Sequence, residues 1–463
     1  MNKFFKCFGN IPITISSLAL FIFAEACKPA QVYEFNYLSD AELRSTLEQN
    51  VAHYPEANFI VFSDPHIYDP DLGISGSAFE SSLNTDRKLL RESTLIMEAL
   101  IRNIESMEAD FVLVAGDLTK DGELSSHRLA AFYLSQIETS GKSVYVVPGN
   151  HDINNGHSMR YVDSASRRVP TVTAEEFAGI YADFGYDESL FRDTASLSYV
   201  VEPKPGLWLL ALDACLYSQN EPDMKPLTGG KFSASTLAWM EDTLLRAQRE
   251  HKAVIAMIHH GIVEHYKGQD KDFGEYIVDN YIEIANLLSA YNVRLALSGH
   301  YHAQDITLHQ THNNKDFIYD IETGSLVTWP CPYRLIEING MQKVIIRSDH
   351  ITSIEGFHGN FHDYAYNFIR CSVEDIAYDL ISSYGVRQDE AQLLSKRAAD
   401  AVMAHYQGDE LLPALKEALP SHGLGLMARL VVLTQKDFID SLWHDLEPQD
   451  NNVILDLNTA EGR

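Results

Sequence analysis

VYVVPGNHD, at residues 144–152, is the stretch from which the architecture of this chain follows. An apolar run, 144–148, stops abruptly at Gly149, as a buried strand does when it enters a turn. The next three residues, Asn150, His151 and Asp152, carry side chains that ligate metals or take part in hydrogen bonds. In an open α/β sheet, ligands bind outside the carboxyl ends of the strands. The stretch therefore predicts a strand that delivers polar side chains to a site.

The same layout, an apolar run followed at once by Asp or His, occurs four more times. The runs are FIVFS (59–63) before Asp64 and His66, FVLVA (111–115) before Gly116 and Asp117, VIAMI (254–258) before His259 and His260, and VRLALS (293–298) before Gly299, His300 and His302. One such strand end is ordinary, because polar residues are common in turns. Five in one chain, with helical patterns at 86–107 and 126–139 between the first three, favour an α/β fold with parallel strands that end at one site.

The residues that follow these strands form a mixed set of oxygen and imidazole donors. They are Asp64, His66, Asp117, Asn150, His259, His300 and His302. Such a set suits two divalent transition metal ions, and it leaves Mn, Fe, Zn, Co and Ni open. Two metals about 3.5 to 4 Å apart need a bridging carboxylate. Asp117 is the natural bridge, because it stands alone after an expected central strand.

Five motifs in this order carry a resemblance to a known family. They are FSDPHI (62–67), GDLTKDGE (116–123), GNHD (149–152), IHHG (258–261) and GHYH (299–302). The set resembles the ordered motifs of the calcineurin-like metallophosphoesterases over roughly residues 58–350. The resemblance implies a four-layer αββα sandwich of two mixed sheets. It also implies that Asp64, His66 and His302 hold one metal, that Asn150, His259 and His300 hold the other, and that Asp117 bridges them.

The resemblance assigns a different role to His151. It matches the family's non-ligand histidine, which orients the substrate phosphate or protonates the leaving oxygen, with Asp152 as its expected orienting partner. The fourth motif departs from the family pattern, because many relatives carry proline where this chain has His260. We take His259 as the ligand since it comes first after the strand, and His260 as a neighbour that contacts either the substrate or the ligands themselves. Ligation by His260 stays open.

The function implied is hydrolysis of phosphoesters by a hydroxide that bridges two metals. We expect phosphodiesters as substrates, in an exported bacterial enzyme that resembles cyclic-nucleotide or glycerophosphodiester phosphodiesterases. A phosphomonoesterase or nucleotidase is one alternative, and a surface lipoprotein that uses the fold as a binding scaffold is another. Intact motifs favour an enzyme. The loops at 69–85 and 261–279, together with an insertion at 157–193 that is expected to contain short helical pieces, notably at 173–184, would select the substrate.

The composition of the chain limits the classes of molecule that it can be expected to bind. The formal net charge is -29, which argues against nucleic-acid polymers and against electrostatic docking on an anionic bilayer. Bound metals would attract a small anionic phosphoester in spite of this charge. Apolar residues make up 45% of the chain and charged residues 22%, as in soluble globular proteins.

Residues 1–27 read as a secretion signal. Lys3 and Lys6 precede a short apolar run at 11–23, and AEAC follows at 24–27. Either Cys27 becomes the lipidated first residue of a cell-envelope lipoprotein, or cleavage after Ala26 releases a periplasmic or extracellular protein. A lipid at Cys27 is the membrane attachment that we expect. Cys215, Cys331 and Cys371 show no metal-type spacing.

The remaining patterns divide the chain into five parts. We expect a signal peptide at 1–27, a linker with a short helix at 28–57, the phosphoesterase domain at 58–372, a helical C-terminal region at 373–447 and a loose tail at 448–463. About four helices are predicted in the C-terminal region, between breaks rich in Gly, Pro and Asp. Short alternating strands from 306 to 347, with a turn at Asn339–Gly340, are expected to complete a second sheet.

Overall fold

The computed structural model describes residues 33–84, 86–311, 315–413, 417–420 and 422–462. The expected signal peptide and Cys27 lie outside these ranges. Across the described ranges, no helix has the length and apolar character needed to cross a bilayer. Two short helices, α1 (Asn36–Ser39) and α2 (Ala41–Gln49), precede the first strand.

The first large sheet has six strands. Their bounds are β1 Ala57–Phe62, β2 Phe111–Val114, β3 Ser143–Val146, β13 Pro332–Ile338, β14 Lys343–His350 and β15 Asn452–Asp456. They lie in the order β15-β14-β13-β1-β2-β3. β1, β2 and β3 are parallel, while β13, β14 and β15 add antiparallel neighbours on the other side of β1. Helices α4 (Ser93–Glu105) and α5 (Leu124–Thr139) are the crossovers between the parallel strands, as the helical patterns predict.

The second sheet has seven strands. Their bounds are β6 Phe191–Arg192, β7 Tyr199–Lys204, β8 Leu207–Leu212, β9 Ala253–Ile258, β10 Leu295–Ser298, β11 Asp305–Gln310 and β12 Phe317–Glu322. They lie in the order β11-β12-β10-β9-β8-β7-β6. The central four, β8, β9, β10 and β12, are parallel. Helices α7 (Ala234–Arg249), α8 (Gln269–Phe273) and α9 (Tyr281–Ala290) lie in the connections.

Strand β8 shows how the layers stack. All six of its residues are buried, and they alternate between two hydrophobic clusters. Leu207, Leu209 and Ala211 join the cluster that also contains β1, β2 and β3, whereas Trp208, Leu210 and Leu212 join the cluster that contains apolar residues of α7 and α9. Because successive side chains of a strand point to opposite faces, the seven-stranded sheet (sheet 2) has the six-stranded sheet (sheet 1) on one side and helices on the other. The expected fold class of two mixed sheets with flanking helices is confirmed.

All three segments expected to select the substrate contain regular structure, and in the segment at 261–279 this is helix α8. The segment predicted as a loop at 69–85 includes α3 (Ser77–Leu83), whose Phe79 packs with Tyr68 and Tyr161. The segment at 157–193 contains α6 (Ala174–Ile180), in agreement with the expected short helical pieces, and also a hairpin of β4 (Met159–Val162) and β5 (Ala165–Arg168) that was not expected. Thr173 and Glu176 cap α6 reciprocally.

The C-terminal region is helical, with α10 (Phe361–Ser383), α11 (Gln388–Gln407) and α12 (Leu426–Ser441). α10 begins before the expected boundary at 373, and the described residues 411–413 and 417–420 do not form the fourth helix that was expected. The prediction of a loose tail is wrong. Val453 and Leu455 alternate as buried residues of β15, so this segment joins the edge of sheet 1.

Candidate active site

The carboxyl ends of β1, β2, β3, β9 and β10 converge, and the predicted ligands lie just beyond them. In the first group, the Nε2 atoms of His66 and His302 are 3.3 Å apart. The Oδ1 atom of Asp64 lies 3.3 Å from His302 Nε2 and 3.7 Å from His66 Nε2. These three side chains can hold one metal ion.

The second group contains Asp117, His259 and His300, with ligand atoms within 4.8 Å of one another. The Oδ2 atom of Asp117 is 3.5 Å from His259 Nε2 and 3.6 Å from the Nε2 of His66, which belongs to the first group. One carboxylate oxygen thus faces both groups. This is the position that a bridging ligand requires.

Each of these carboxylates has one oxygen fixed by the protein and one left for a cation. Asp64 Oδ2 accepts from Ser63 Oγ at 2.5 Å and from the backbone N–H of His300 at 3.0 Å. Asp117 Oδ1 accepts from the backbone N–H of His151 at 2.9 Å. The remaining oxygens, Asp64 Oδ1 and Asp117 Oδ2, point toward the imidazoles.

The histidines are oriented in the same way. His259 Nδ1 lies 2.8 Å from the carbonyl oxygen of Ala115, and His66 Nδ1 lies 3.2 Å from that of Thr119. A ring nitrogen that donates to a carbonyl leaves the other nitrogen as an acceptor, which is the usual arrangement of a metal-binding histidine. Burial, reinforced by the Lys88 ammonium, holds the pKa of His66 well below its usual range, so its imidazole is neutral, the form that ligates.

Three buried atoms at the centre lack a hydrogen-bond partner. They are Asp64 Oδ1, Asn150 Oδ1 and His259 Nε2. Leaving such atoms unpaired costs about 1–3 kcal/mol each. Divalent ions would satisfy them, and the oxygen and imidazole donors suit such ions. The donor set therefore fits two metals, and the ligand role of Asn150 stays a prediction.

Backbone conformation sets the ligands apart from ordinary strand ends. Five of them have positive φ angles: Asp64 (51°), His66 (39°), Asp117 (49°), His300 (80°) and His302 (70°). The left-handed region costs a non-glycine residue of the order of 1–3 kcal/mol, and such conformations concentrate at functional sites. At these positions the chain leaves the sheet sharply and turns the side chains inward.

Two glycines permit this close packing. A Cβ atom on Gly149 would lie 2.1 Å from Asp117 Oδ1, and one on Gly299 would lie 1.9 Å from Ser63 Oγ. Real Cβ atoms do not approach so closely. The glycines of GNHD and GHYH are therefore required by the position of the Asp117 carboxylate and by the hydrogen bond from Ser63 to Asp64.

His151 lies at the open side of the centre, with 24% of its side chain exposed. Its Nδ1 is 2.7 Å from the carbonyl oxygen of Lys120 and 3.0 Å from Asp121 Oδ1. The proton on Nδ1 is thereby fixed, and Nε2 lies 4.0 Å from Asp117 Oδ2. Burial and the Lys88 ammonium lower the pKa of His151, but the Asp117 and Asp121 carboxylates outweigh them and raise it overall.

Asp152 is not the partner of His151, and this expectation is corrected. Its Oδ2 accepts the backbone N–H groups of Leu118 and Gly149, and its Oδ1 accepts that of Thr119. Asp152 is fully buried and ties the second motif to the third. Asp121 contacts the His151 ring instead. The sequence signal was present, since Asp121 lies within GDLTKDGE, but adjacency in sequence pointed to Asp152.

His260 lies beside the candidate ligands, the second of its two expected positions. It is fully buried, and its Nε2 lies 2.9 Å from the carbonyl oxygen of Thr228. Its ring packs against the rings of His259 and His300, behind the ligands. His260 therefore contacts the neighbouring imidazoles, while His259 faces Asp117.

Basic side chains near the centre were not found from the sequence. Lys88 Nζ lies 3.2 Å from Asp86 Oδ1, and Lys120 forms a close ion pair with Asp121. Arg87 donates to the hydroxyl of Tyr406 at 2.8 Å. Two of these residues precede α4 in a segment with no motif, so only the fold brings them to the site.

Two facing mixed sheets, with two groups of candidate metal ligands at their strand ends, form the architecture of a metal-dependent hydrolase. The chain belongs to the calcineurin-like phosphoesterase family, whose model matches residues 57–304. It is accordingly a metal-dependent phosphoesterase. No curated protein sequence matches the chain.

Solved structures with similarity to this chain include two phosphatases and a nucleotidase precursor. A dimetal phosphatase from Danio rerio has 14% identity and a TM-score of 0.45, with 64% of this chain and 97% of that chain covered. A purple acid phosphatase from yellow lupin has 13% identity and a TM-score of 0.36, with 65% and 53% covered. A 5'-nucleotidase precursor from Thermus thermophilus has 11% identity and a TM-score of 0.34, with 70% and 59% covered.

Proposed function

We propose that the protein hydrolyses phosphodiesters in preference to phosphomonoesters. The observation that carries this proposal is the pairing of the two lysines near the centre, Lys88 with Asp86 and Lys120 with Asp121. A phosphodiester carries one negative charge and a phosphomonoester carries up to two at neutral pH. Because both ammonium groups already have carboxylate partners, they offer little to a second phosphate charge.

The metal ions would be held by two sets of residues. These are Asp64, His66 and His302 for one ion, Asn150, His259 and His300 for the other, and Asp117 between them. When bound, the ions supply a nucleophile at neutral pH and offset charge on the phosphoryl oxygens. The protein's contribution is to fix these ligands through the hydrogen bonds described above.

His151 supplies the proton in this proposal. The Lys120 carbonyl and the Asp121 carboxylate hold Nδ1, so Nε2 is the nitrogen that faces the open side of the centre. A protonated Nε2 donates to the leaving oxygen as the ester bond breaks. The raised pKa of His151 keeps the acid form available near neutral pH.

A phosphomonoesterase is the second candidate, and Arg87 favours it. Burial lowers the pKa of the His302 imidazole, and the Lys88 ammonium and then the Arg87 guanidinium lower it further, so Arg87 lies near this candidate ligand. A guanidinium matches the geometry of a terminal phosphate better than an ammonium does. Substrate preference therefore depends on whether Arg87 or the paired lysines dominate.

Hydrolysis of bis(p-nitrophenyl) phosphate and p-nitrophenyl phosphate by the Mn²⁺-loaded protein tests the proposal. We expect faster cleavage of the diester and loss of both activities in Asp117→Asn. Arg87→Gln is the matched variant: a small effect on both substrates supports the diesterase. Faster monoester cleavage that falls selectively in Arg87→Gln would contradict the proposal and establish the second candidate.

The leaving group tests His151 separately. Because p-nitrophenolate departs without a proton, His151→Ala should affect that substrate little, whereas a diester with an alcohol leaving group, such as glycerophosphocholine, should react about 10²-fold or more slowly. Equal losses on both kinds of diester would exclude proton donation by His151.

A further inference from the structure

A second group of buried ligand-type side chains lies where the C-terminal helices meet sheet 2, apart from the active site. Asp305 opens β11, His405 lies in the last turn of α11, and Glu410 follows that helix. One ligand atom from each lies within 4.8 Å of the other two. Their exposed fractions are only 3%, 2% and 6%.

The group has unsatisfied donors and acceptors. Glu410 Oε1 contacts His405 Nδ1 closely, but Glu410 Oε2 and His405 Nε2 have no hydrogen-bond partner. Asp305 Oδ1 accepts from the hydroxyl of Thr307 at 2.6 Å, which fixes that carboxylate. Buried polar atoms are normally paired, so the unpaired ones point to a ligand.

Nearby cations are committed elsewhere. The buried Arg334 guanidinium donates to the backbone carbonyls of Glu322 (2.6 Å) and Asp305 (3.4 Å), and His265 pairs with the Glu322 carboxylate. Within the described ranges, no Lys or Arg side chain donates to the carboxylates of Asp305 or Glu410. Burial raises the pKa of Glu410 to about 8, and burial with Asp450 raises the pKa of Asp305 well above its usual range. A cation would relieve this shortage of positive charge.

We propose that Asp305, His405 and Glu410 bind a divalent transition metal ion that is distinct from the catalytic pair. One imidazole and two carboxylates are a donor set that Zn²⁺ and Mn²⁺ accept. The ion joins β11 to the end of α11. That junction adjoins the active site, because the backbone N–H of Gln304, two residues after His302, donates to the carbonyl of Tyr406 at 3.3 Å. The bound ion would thus hold in place the loop that follows His302, a predicted ligand of the catalytic centre.

The metal content of the full-length protein tests whether this third ion is bound. The apo protein is loaded with Zn²⁺, dialysed and analysed by elemental mass spectrometry. We expect three ions per chain in the wild type and two in Glu410→Gln. In an Asp64→Asn/Asp117→Asn background, which removes the carboxylates of the catalytic centre, calorimetric titration with Zn²⁺ should show one retained site, whose affinity falls at least 100-fold when Glu410→Gln is added.

Two further variants keep the test decisive. Asp445→Asn, in the neighbouring acidic group of Asp409, Asp445 and Asp450, should leave the third ion in place. If Glu410→Gln fails to fold, as judged by its melting transition, Asp305→Asn takes its place, since asparagine still accepts from Thr307. The proposal is overturned if metal content is the same with and without the Glu410 carboxylate, which would mean a proton-sharing cluster, or if Asp445→Asn alone removes the ion.

Discussion

Replacing Asp121 by asparagine isolates what its charge does for His151. Asparagine keeps an oxygen that can accept from His151 Nδ1, and the Lys120 carbonyl at 2.7 Å still orients the ring. The change therefore removes the carboxylate charge but not the alignment. Because Asp121 is one of the carboxylates that raise the pKa of His151, the variant should have a lower His151 pKa.

The size of the effect follows from the hydrogen bond that is weakened. A bond to a charged group contributes about 1.5–3 kcal/mol and a neutral one about 0.5–1.5 kcal/mol, so the loss is about 1.5 kcal/mol. That corresponds to roughly tenfold in rate. If the protonated imidazole is the active form, activity falls as pH rises through its pKa. A lower pKa then moves this basic limb to lower pH, and the tenfold loss appears on the alkaline side.

The assay is the pH profile of kcat/KM with a diester that has an alcohol leaving group, for wild type, Asp121→Asn, His151→Ala and the double variant. Metal content and melting temperature serve as controls, because Asp121 also pairs with Lys120. We expect Asp121→Asn to add no loss once His151 is alanine. An unchanged basic limb, or an equal tenfold loss in the His151→Ala background, would refute the role assigned to Asp121.

Two other substitutions test the support of the centre. Gly149→Ala should displace Asp117, because the new Cβ would lie 2.1 Å from its Oδ1; we expect lower metal content by elemental analysis and activity reduced about 10²-fold. Normal metal content in a folded variant would contradict this. Glu123→Gln tests a buried acid whose pKa burial raises to about 7. Because the pKa of Glu123 is raised in the folded state, its contribution to the free energy of unfolding is fully present below about pH 4.5. About 3 kcal/mol of that free energy is lost as pH rises through about 7. Denaturant unfolding should show that the free energy of unfolding of Glu123→Gln increases relative to that of wild type over this pH interval. Parallel curves of unfolding free energy against pH for the two proteins would contradict a raised pKa of Glu123.

The sheet strands and the convergence of the ligands were predictable because both depend on local patterns. Apolar runs of five or six residues bounded by Gly, Asp or His predict buried strands, and parallel strands present their carboxyl ends on one side. Asp64, Asp117 and His259 accordingly lie where the sequence predicts. The hairpin β4–β5 and helix α3 were missed, because their short polar segments have no clear period.

The residues that contact His151 from behind were harder to predict, because the geometry of the turns decides which acidic side chain reaches the ring. Asp121 and Asp152 are both acidic residues near His151, and the sequence favours the adjacent one. The backbone N–H groups of Leu118, Thr119 and Gly149 converge on Asp152 instead, and its carboxylate is consumed there. Asp117 has a positive φ angle, and in the turn that follows it Asp121 lies beside the His151 ring. No periodicity encodes such a turn.

The C-terminal helices also have more to do with the site than their sequence suggests. Tyr406, at the end of α11, accepts from Gln304 through its carbonyl and from Arg87 through its hydroxyl. Gln304 follows the predicted ligand His302 by two residues, and Arg87, after burial and Lys88, lowers the pKa of that same imidazole. A shift of α11 would therefore move the loop after one metal ligand and a basic side chain beside it together. Since about 1 Å of misplacement can cost 10²-fold in rate, the contacts of Tyr406 with Gln304 and Arg87 are part of what keeps the centre aligned.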